Sequence, residues 1–581
     1  MDKQQLKELI GAAEGRLPFD NYFYNAKIVD VYRERIIENG SVGVKNGRIA
    51  ALCPEFEPRS AQYTDCGGMY LAPSFIDAHM HIESSKLTPF AYCEGAVPHG
   101  TGCIFFDPMQ MSYTLGLPGI EAMCEMLEKM PLESYLQLSS QLLTTLKNVG
   151  DITDVLKCCK AKTVGEISGG ELDDESIQLI LEAAEKAEIA VNGHCPSMGH
   201  DDISGAVCAG LRDDHECESF EELEDRLGCG MAVFIREGTI EPNCRLIAEG
   251  IAKSHISTDN IMFCTDDKSA EDILENGCID KALCIAVKSG IDPVTAVRMA
   301  TLNTARHYGI EHIIGSVTPS RKANLILLDS LETFTVKKVY HDGRLVAENG
   351  VLLSPKKFYA QDYPKLRDTV VLPKGLDAHS FEVRIKDVER VEVNVIEMPE
   401  GGITTKLSKA KLDVSEGVVC GDTQKDILPV FVTERFGKSG STGCGFMKGL
   451  GIKKGAVAAS FAQESNNIVV SGADPEDMLC AVRYLERSGG GAAVSINGKV
   501  VGFHPLPVAG ILSDKGIRDE IAVQRDFRKA LSLTGGNADT MAAVLTVSLC
   551  RTIPDVGLTE KGLYDVERQC YIPAVIGGDD K

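Results

Sequence analysis

Eight short strand-like segments, most of them apolar, alternate with helical stretches between residues 74 and 266, and this alternation predicts a parallel β/α fold. Most of these segments end at a residue that can bind a metal. Eight such units predict a TIM-like (β/α)8 barrel, whose catalytic face lies at the carboxyl ends of the strands. The predicted strands are residues 74–81, 102–108, 134–139, 163–168, 188–194, 211–216, 231–237 and 260–266.

Strand patterns on both sides of the barrel predict a small β-domain. The turn Asn46-Gly47 lies between alternating residues, a strong hairpin signal. A helix is expected at residues 292–309, after the last barrel strand. The strands assigned to the small domain are residues 25–31, 41–52, 315–317, 323–329 and 337–340.

The predicted organisation therefore has four segments. The β-domain comprises residues 1–70 and 315–368, and it flanks a catalytic barrel of residues 71–314. Residues 369–581 are expected to form a C-terminal α/β or α+β domain, because strand patterns and glycine-rich turns such as 489–491 recur there.

Composition narrows the functional classes. The chain has 581 residues and a net charge of −24, which argues against nucleic-acid binding. The sequence shows no signal-peptide core and no run of about 18 apolar residues, so we expect a cytoplasmic protein with no membrane contact. The 20 cysteines are scattered without a Cys-x-x-Cys pair and are interpreted as reduced, buried thiols.

Metal-binding side chains follow five of the predicted strands. His79 and His81 end the first strand, and residues two apart on a strand point to the same face. Further donors follow the fourth, fifth, sixth and eighth strands. The full predicted ligand set is His79, His81, Glu166, His194, His215 and Asp266.

This set predicts metal-assisted hydrolysis. Mixed imidazole and carboxylate donors suit a borderline divalent ion, and a carboxylate such as Glu166 can bridge two ions. The ions would lower the pKa of a bound water, and Asp266 would accept the proton and return it to a leaving nitrogen. Such a site hydrolyses C–N or ester bonds. No dinucleotide or P-loop motif follows any strand.

Longer strings resemble the amidohydrolase superfamily and, within it, the bacterial and archaeal adenine deaminase family. The resemblance covers residues 20–570. The matching stretches include Ile76–Ser85, Asn192-Gly193-His194, Asp214-His215-Glu216, Ile235–Gly238, Phe263–Asp267 and Leu506–Asp514.

The resemblance implies hydrolysis of adenine to hypoxanthine and ammonia, with hydroxide attacking C6. It assigns the six donors to a two-metal centre, for which Mn or Fe is expected and Zn is an alternative. We expect a small-molecule purine substrate and a homodimer. Glu83 is a candidate for catalysis and, together with Ser84, Arg236 and Asp514, for substrate binding. Glu83 alternatively orients a ligand, Ser84 caps the next helix, and Arg236 pairs with Glu237.

Four family motifs are altered while the ligand set is complete. The residues that replace family residues are Met109, Gln110, Cys278, Phe436, Gln463 and Asn466. Our hypothesis is that the lost residues form one polar or metal-binding cluster in relatives. Independent drift is the alternative. Hydrolysis of another purine or cyclic amide, and a non-catalytic purine-binding or partner-binding role, also stay open.

Overall fold

The computed structural model describes residues 1–254, 256–398, 405–463, 465–548 and 555–580. They form two compact units. The first comprises Met1–Met109 and Glu121–Lys357, and the second comprises Gln110–Ile120 and Phe358–Lys581. Glu464, which belongs to one altered motif, lies outside the described residues.

A closed barrel of eight parallel strands forms most of the first unit. Neighbouring strands pair in chain order, a bridge between Val191 and Leu211 joins the fifth to the sixth, and Asp266 pairs with Met80 to join the eighth to the first. The predicted barrel is therefore confirmed. Its strands are Phe75–His81, Thr101–Phe106, Glu133–Leu138, Thr163–Ser168, Ala190–His194, Asp213–Asp214, Ala232–Arg236 and Ile261–Cys264 continued by Asp266–Asp267.

Helices cover the outside of the barrel, and side-chain caps fix several of their starts. Asn148, Asp174, Ser219 and Asp292 each accept a backbone hydrogen bond at a helix N-terminus, the usual role of these residue types. The helices of the first unit between and after the strands are Pro89–Ala96, Ser140–Leu143, Val149–Cys158, Glu175–Ala187, His200–Cys208, Phe220–Gly228, Cys244–Ser254, Ala270–Asn276, Ile279–Lys288, Pro293–Arg298 and Thr304–His307. Two more helices, Met109–Leu115 and Leu117–Glu128, follow the second strand in the chain and contain most of the residues 110–120 that belong to the second unit.

A nine-stranded sheet joins the two flanks of the barrel, as predicted. Leu325–Leu328 pairs antiparallel with Tyr70–Pro73, which connects strands from before and after the barrel. The predicted strand at 315–317 is wrong, because these residues lie in an irregular turn. The other strands of this sheet are Phe19–Asp30, Arg35–Lys45, Arg48–Leu52, Ser60–Asp65, Val336–His341, Arg344–Glu348 and Val351–Leu352, and the helix Lys3–Ala13 precedes them.

The second unit contains a ten-stranded, mainly antiparallel sheet, in agreement with the α+β alternative. Its apolar core includes Phe431, Phe446 and Val470, packed with the helix Pro475–Ser488. The sheet strands are Val388–Glu397, Lys406–Ser415, Val418–Val419, Ile427–Thr433, Thr442–Lys448, Ala456–Ala459, Ile468–Gly472, Gly491–Ile496, Lys499–Pro505 and Val575–Asp580. The helices Ile517–Ser532 and Ala538–Thr546 and a small sheet of Val556–Thr559, Gly562–Asp565 and Cys570–Ile572 complete it.

The fold also bears on the burial of the cysteines and on the search for membrane-spanning helices. The prediction of buried thiols is wrong for Cys53, Cys158, Cys208 and Cys570, which are exposed. A small apolar side chain next to other apolar residues is thus no guarantee of burial. Within the described ranges, every helix is too short or too polar to cross a bilayer.

Candidate metal centre

The first barrel strand positions two histidines at the mouth of the barrel. His79 and His81 are both buried at the end of Phe75–His81. The Nδ1 atom of His79 lies 2.8 Å from Oε1 of Gln137, and Nδ1 of His81 lies 2.9 Å from the carbonyl oxygen of Asp107. Because both acceptors hold the Nδ1 side of a ring, both Nε2 atoms are left to face the mouth.

Two carboxylates meet these nitrogens. The Nε2 atom of His79 lies 3.5 Å from Glu166 Oε2 and 3.6 Å from Asp266 Oδ1. The Nε2 atom of His81 lies 3.6 Å from Glu166 Oε1 and 3.4 Å from Asp266 Oδ1. Four residues from the first, fourth and eighth strands therefore surround one point.

A second group of donors shares Glu166. Its Oε2 atom lies 3.4 Å from Nδ1 of His194 and 3.2 Å from Nε2 of His215. Glu216, which sequence reasoning did not select as a ligand, places Oε1 3.2 Å from His215 and 3.5 Å from His194. The structure thus brings all six predicted donors together and adds a seventh, with Glu166 between the two groups.

The donor set fits divalent ions. The ring nitrogens His79 Nε2, His194 Nδ1 and His215 Nε2 are buried, and none has a hydrogen-bond partner among the described residues. Donors that each lie about 2.1 Å from one ion are roughly 3.4 Å apart in tetrahedral geometry. The separations above cluster around this value. Buried polar atoms without partners are rare and need an explanation, which a cation at this position provides.

The shifted pKa values of the clustered side chains also indicate a site for cations. Burial alone would lower the pKa of His79, but the carboxylates of Asp266 and Glu166 outweigh burial and raise this pKa to about 10. His194 likewise has a pKa of about 10, because Glu216 and Glu166 outweigh its burial. Burial would raise the pKa of Glu166, yet the surrounding imidazoles hold it well below its usual range. The carboxylates of the cluster therefore stabilise positive charge, which protons or metal ions can supply.

Arg236 connects the two groups of donors from one side. Its Nη1 atom donates to Asp266 Oδ2 at 3.0 Å and also to Glu216. Its Nη2 atom donates to Glu216 at 3.2 Å and pairs with Glu241. The predicted pairing of Arg236 with Glu237 is wrong. A guanidinium with three carboxylate partners fixes their orientation because its donors form a rigid fork.

Asp266 has a backbone conformation that is uncommon outside glycine. Its φ angle is +51°, in the left-handed region, where Asp is one of the few residue types found repeatedly. Asp266 begins the second segment of the eighth strand, Asp266–Asp267, and Thr265 separates this segment from Ile261–Cys264. Such backbone conformations cluster at functional sites.

The remaining predicted substrate-binding residues have different surroundings. Glu83 is buried in the turn Ile82–Ser85. Burial raises the pKa of Asp107 to about 7, and the negative charge of Glu83 contributes to this rise. Ser84 donates a hydrogen bond to Asp267 and does not cap the next helix. Asp514 lies in the second unit, where its carboxylate is 3.9 Å from Arg367.

Three of the four altered motifs meet inside the second unit. Asn466 donates to the carbonyl oxygen of Gln110 at 2.9 Å and to Thr114 Oγ1 at 3.0 Å. Arg435, next to Phe436, donates to the carbonyl oxygen of Asn466. Cys278 is buried at the start of Ile279–Lys288 in the first unit. The hypothesis of one lost cluster stays a prediction.

The barrel and its histidine and carboxylate donors are those of an amidohydrolase, and the amidohydrolase family model matches residues 70–346. A model described as the adenine deaminase C-terminal domain matches residues 402–570. An adenine deaminase of Desulforamulus reducens is 35% identical, with 99% of each chain covered. The adenine deaminase of Kosmotoga olearia is 32% identical, with 98% of this chain and 99% of its own chain covered. That of Nitratidesulfovibrio vulgaris is 34% identical, with 97% of each chain covered. The chain therefore belongs to the adenine deaminase family.

Proposed function

We propose that this protein hydrolyses adenine to hypoxanthine and ammonia. The observation that carries the proposal is the convergence of six donors from five barrel strands at one mouth, in a chain that matches adenine deaminases over nearly its full length. The C6–N bond of the purine breaks and a C6–O bond forms. Water supplies the oxygen. One of its protons leaves with the amino group as ammonia, and the other stays on the purine as a ring N–H of hypoxanthine.

The metal site is proposed to hold two divalent ions per chain. His79, His81 and Asp266 would bind one ion, His194 and His215 the other, and Glu166 both. When bound, such ions lower the pKa of water toward neutrality and stabilise charge that develops on the substrate. Mn or Fe suits this mixture of imidazole and carboxylate, and Zn is an alternative.

Asp266 is proposed as the group that moves the proton. Its Oδ2 atom is held by Arg236 at 3.0 Å, while Oδ1 faces the two histidines of the first strand. A carboxylate fixed on one oxygen presents the other in a constant position, which general acid–base catalysis requires. Asp266 accepts a proton from the attacking water and then delivers it to the leaving nitrogen. Glu83, buried two residues beyond His81, contacts the purine ring in this proposal.

We also propose a cellular location, an oligomeric state and a partner class for the enzyme. We place it in the cytoplasm, acting on a free purine base as a homodimer, with neither nucleic acid nor membrane as a partner. Sedimentation of the purified full-length chain would test the homodimer. A single species with the mass of one chain at micromolar concentration would refute that part of the proposal alone.

The decisive test is ammonia release from a purine panel. Metal-free protein is reconstituted with Mn, Fe or Zn and mixed with adenine, guanine, adenosine or cytosine. We expect ammonia from adenine with at least one metal, and loss of turnover in Asp266→Asn. Asp292→Asn, at a helix cap far along the chain, is the matched control. Fully metallated protein that releases no ammonia from adenine would refute the proposed activity.

A further inference from the structure

A second cluster of metal-binding side chains lies on the outer helices of the barrel. His200, Asp225 and Cys229 each offer one donor atom, and these atoms lie within 4.8 Å of one another. The Nδ1 atom of His200 is 2.5 Å from Asp225 Oδ1 and 3.7 Å from Cys229 Sγ. None of these residues belongs to the donor cluster at the barrel mouth.

The helices present these donors in a pattern that suits a metal. Asp225 lies in the helix Phe220–Gly228, and Cys229 follows one turn later, so both side chains are on the same face. His200 begins the neighbouring helix His200–Cys208. Two donors one turn apart, with a third from an adjacent helix, define three corners of a tetrahedron.

The distances are close to those of an occupied site. Ligands at about 2.0 Å for nitrogen and 2.3 Å for sulfur are roughly 3.5 Å apart in a tetrahedron, so the His200–Cys229 separation already fits. The His200–Asp225 contact would open by about 0.8 Å. The His200 side chain is 65% exposed, which gives its ring room for this movement. Ser204 Oγ lies 3.7 Å from Cys229 Sγ.

We propose that His200, Asp225 and Cys229 form a separate binding site for a zinc-type divalent cation. A thiolate with an imidazole and a carboxylate selects borderline or soft ions rather than Mg or Mn. The site is therefore expected to differ in metal preference from the centre at the barrel mouth, where all donors are imidazole or carboxylate.

The place of this site in the barrel suggests its effect. His200 follows the loop after the fifth strand, which ends in His194, and Asp225 follows the loop after the sixth strand, which is followed by His215. An ion bound here would link the helices His200–Cys208 and Phe220–Gly228 on the outside of the barrel. It would bind to the folded state only and so stabilise it by mass action.

Cobalt substitution provides the test, because a thiolate ligand gives cobalt(II) an intense charge-transfer absorption that imidazole and carboxylate do not. The full-length protein, loaded first with Mn, is titrated with cobalt(II). We expect one further equivalent per chain with the thiolate band in the wild type and in Cys208→Ser, a control at an exposed cysteine on the adjacent helix. Both signals should be absent in Cys229→Ser and His200→Gln.

Alkylation of the unmodified wild type gives an independent readout. Zinc should protect Cys229 from iodoacetamide at least tenfold, while exposed Cys158 and Cys208 react at unchanged rates. Equal alkylation of Cys229 with and without zinc, or a thiolate band that survives in Cys229→Ser, would overturn the proposal. Neither result bears on adenine hydrolysis, since these residues lie outside the proposed catalytic cluster.

Discussion

Gln137 is the residue whose removal most specifically tests how the metal centre is held. It is fully buried, and its Oε1 atom accepts from Nδ1 of His79 at 2.8 Å. Its Nε2 atom donates to the hydroxyl oxygen of Tyr308 at 2.9 Å and to the carbonyl oxygen of Ala78 at 3.3 Å. Because both ends of the amide are engaged, its orientation is fixed, and with it the tautomer that leaves Nε2 of His79 available for a metal.

Gln137→Ala should weaken metal binding by 10- to 100-fold, or about 1.4–2.7 kcal/mol. The hydrogen bond that His79 would lose accounts for the size of this effect. The His79 side chain is 1% exposed, so its Nδ1–H group would be left buried without an acceptor, at a cost of about 1–3 kcal/mol. A water that enters the vacated space would bring the loss toward the lower limit.

The assay is competition between the protein and a chelator of known affinity, with Mn as the metal. Gln178→Ala, on the exposed face of Glu175–Ala187, is the matched control and should bind Mn like the wild type. Urea unfolding of the metal-free variants separates a general loss of stability from a loss of affinity. An unchanged Mn affinity in Gln137→Ala would refute the reasoning, even if the variant were less stable.

The same site is also expected to respond to loss of Arg236, to pH and to removal of the metal. Arg236→Met should destabilise the metal-free protein by about 3–5 kcal/mol in urea unfolding, because it leaves the carboxylates of Asp266 and Glu216 buried without their cation. An unchanged midpoint of urea unfolding would contradict this stabilising role of Arg236. The apparent Mn affinity should rise from about pH 6 to about pH 9, since His79 and His194 carry protons below a pKa of about 10 and metal binding must displace them. Calorimetry in two buffers would detect the released protons, and a pH-independent affinity would exclude this competition. Chelation should abolish ammonia release and Mn should restore it; full turnover of metal-free protein would contradict metal dependence.

The barrel was predictable because its strands are distinct in the sequence. Most are short apolar runs, and the residue that follows the run is often one that is costly to bury without a partner, such as Asp266. The sixth strand is the exception: residues 211–216 contain a single apolar residue, Leu211, and only Asp213–Asp214 is a strand in the structure. The turn at 315–317 was misassigned because its apolar residue packs in the core of the β-domain without any strand pairing.

Glu216 was missed for a geometric reason. On a continuous strand it would point away from its neighbour His215. The strand ends at Asp214, however, and beyond it alternation no longer applies, so both side chains reach the same site. The motif Asp214-His215-Glu216 was the available signal.

The support of the site depends on residues that are distant in the chain. Gln137 and Tyr308 are separated by 171 positions, and nothing in either local sequence indicates that they meet beneath His79. Arg236 was assigned to its sequence neighbour Glu237, but its partners Glu216 and Asp266 are 20 and 30 positions away. Pairings of this kind depend on which distant side chains the folded barrel brings into contact, and local sequence patterns do not specify these contacts.

The most direct test of the central claim is an anomalous-difference map from crystals of the Mn-loaded protein, recorded near the manganese edge. We expect two peaks at the barrel mouth, one within bonding distance of His79, His81 and Asp266 and the other near His194 and His215, with Glu166 contacting both. Manganese bound elsewhere, with this mouth free of anomalous signal, would contradict the account.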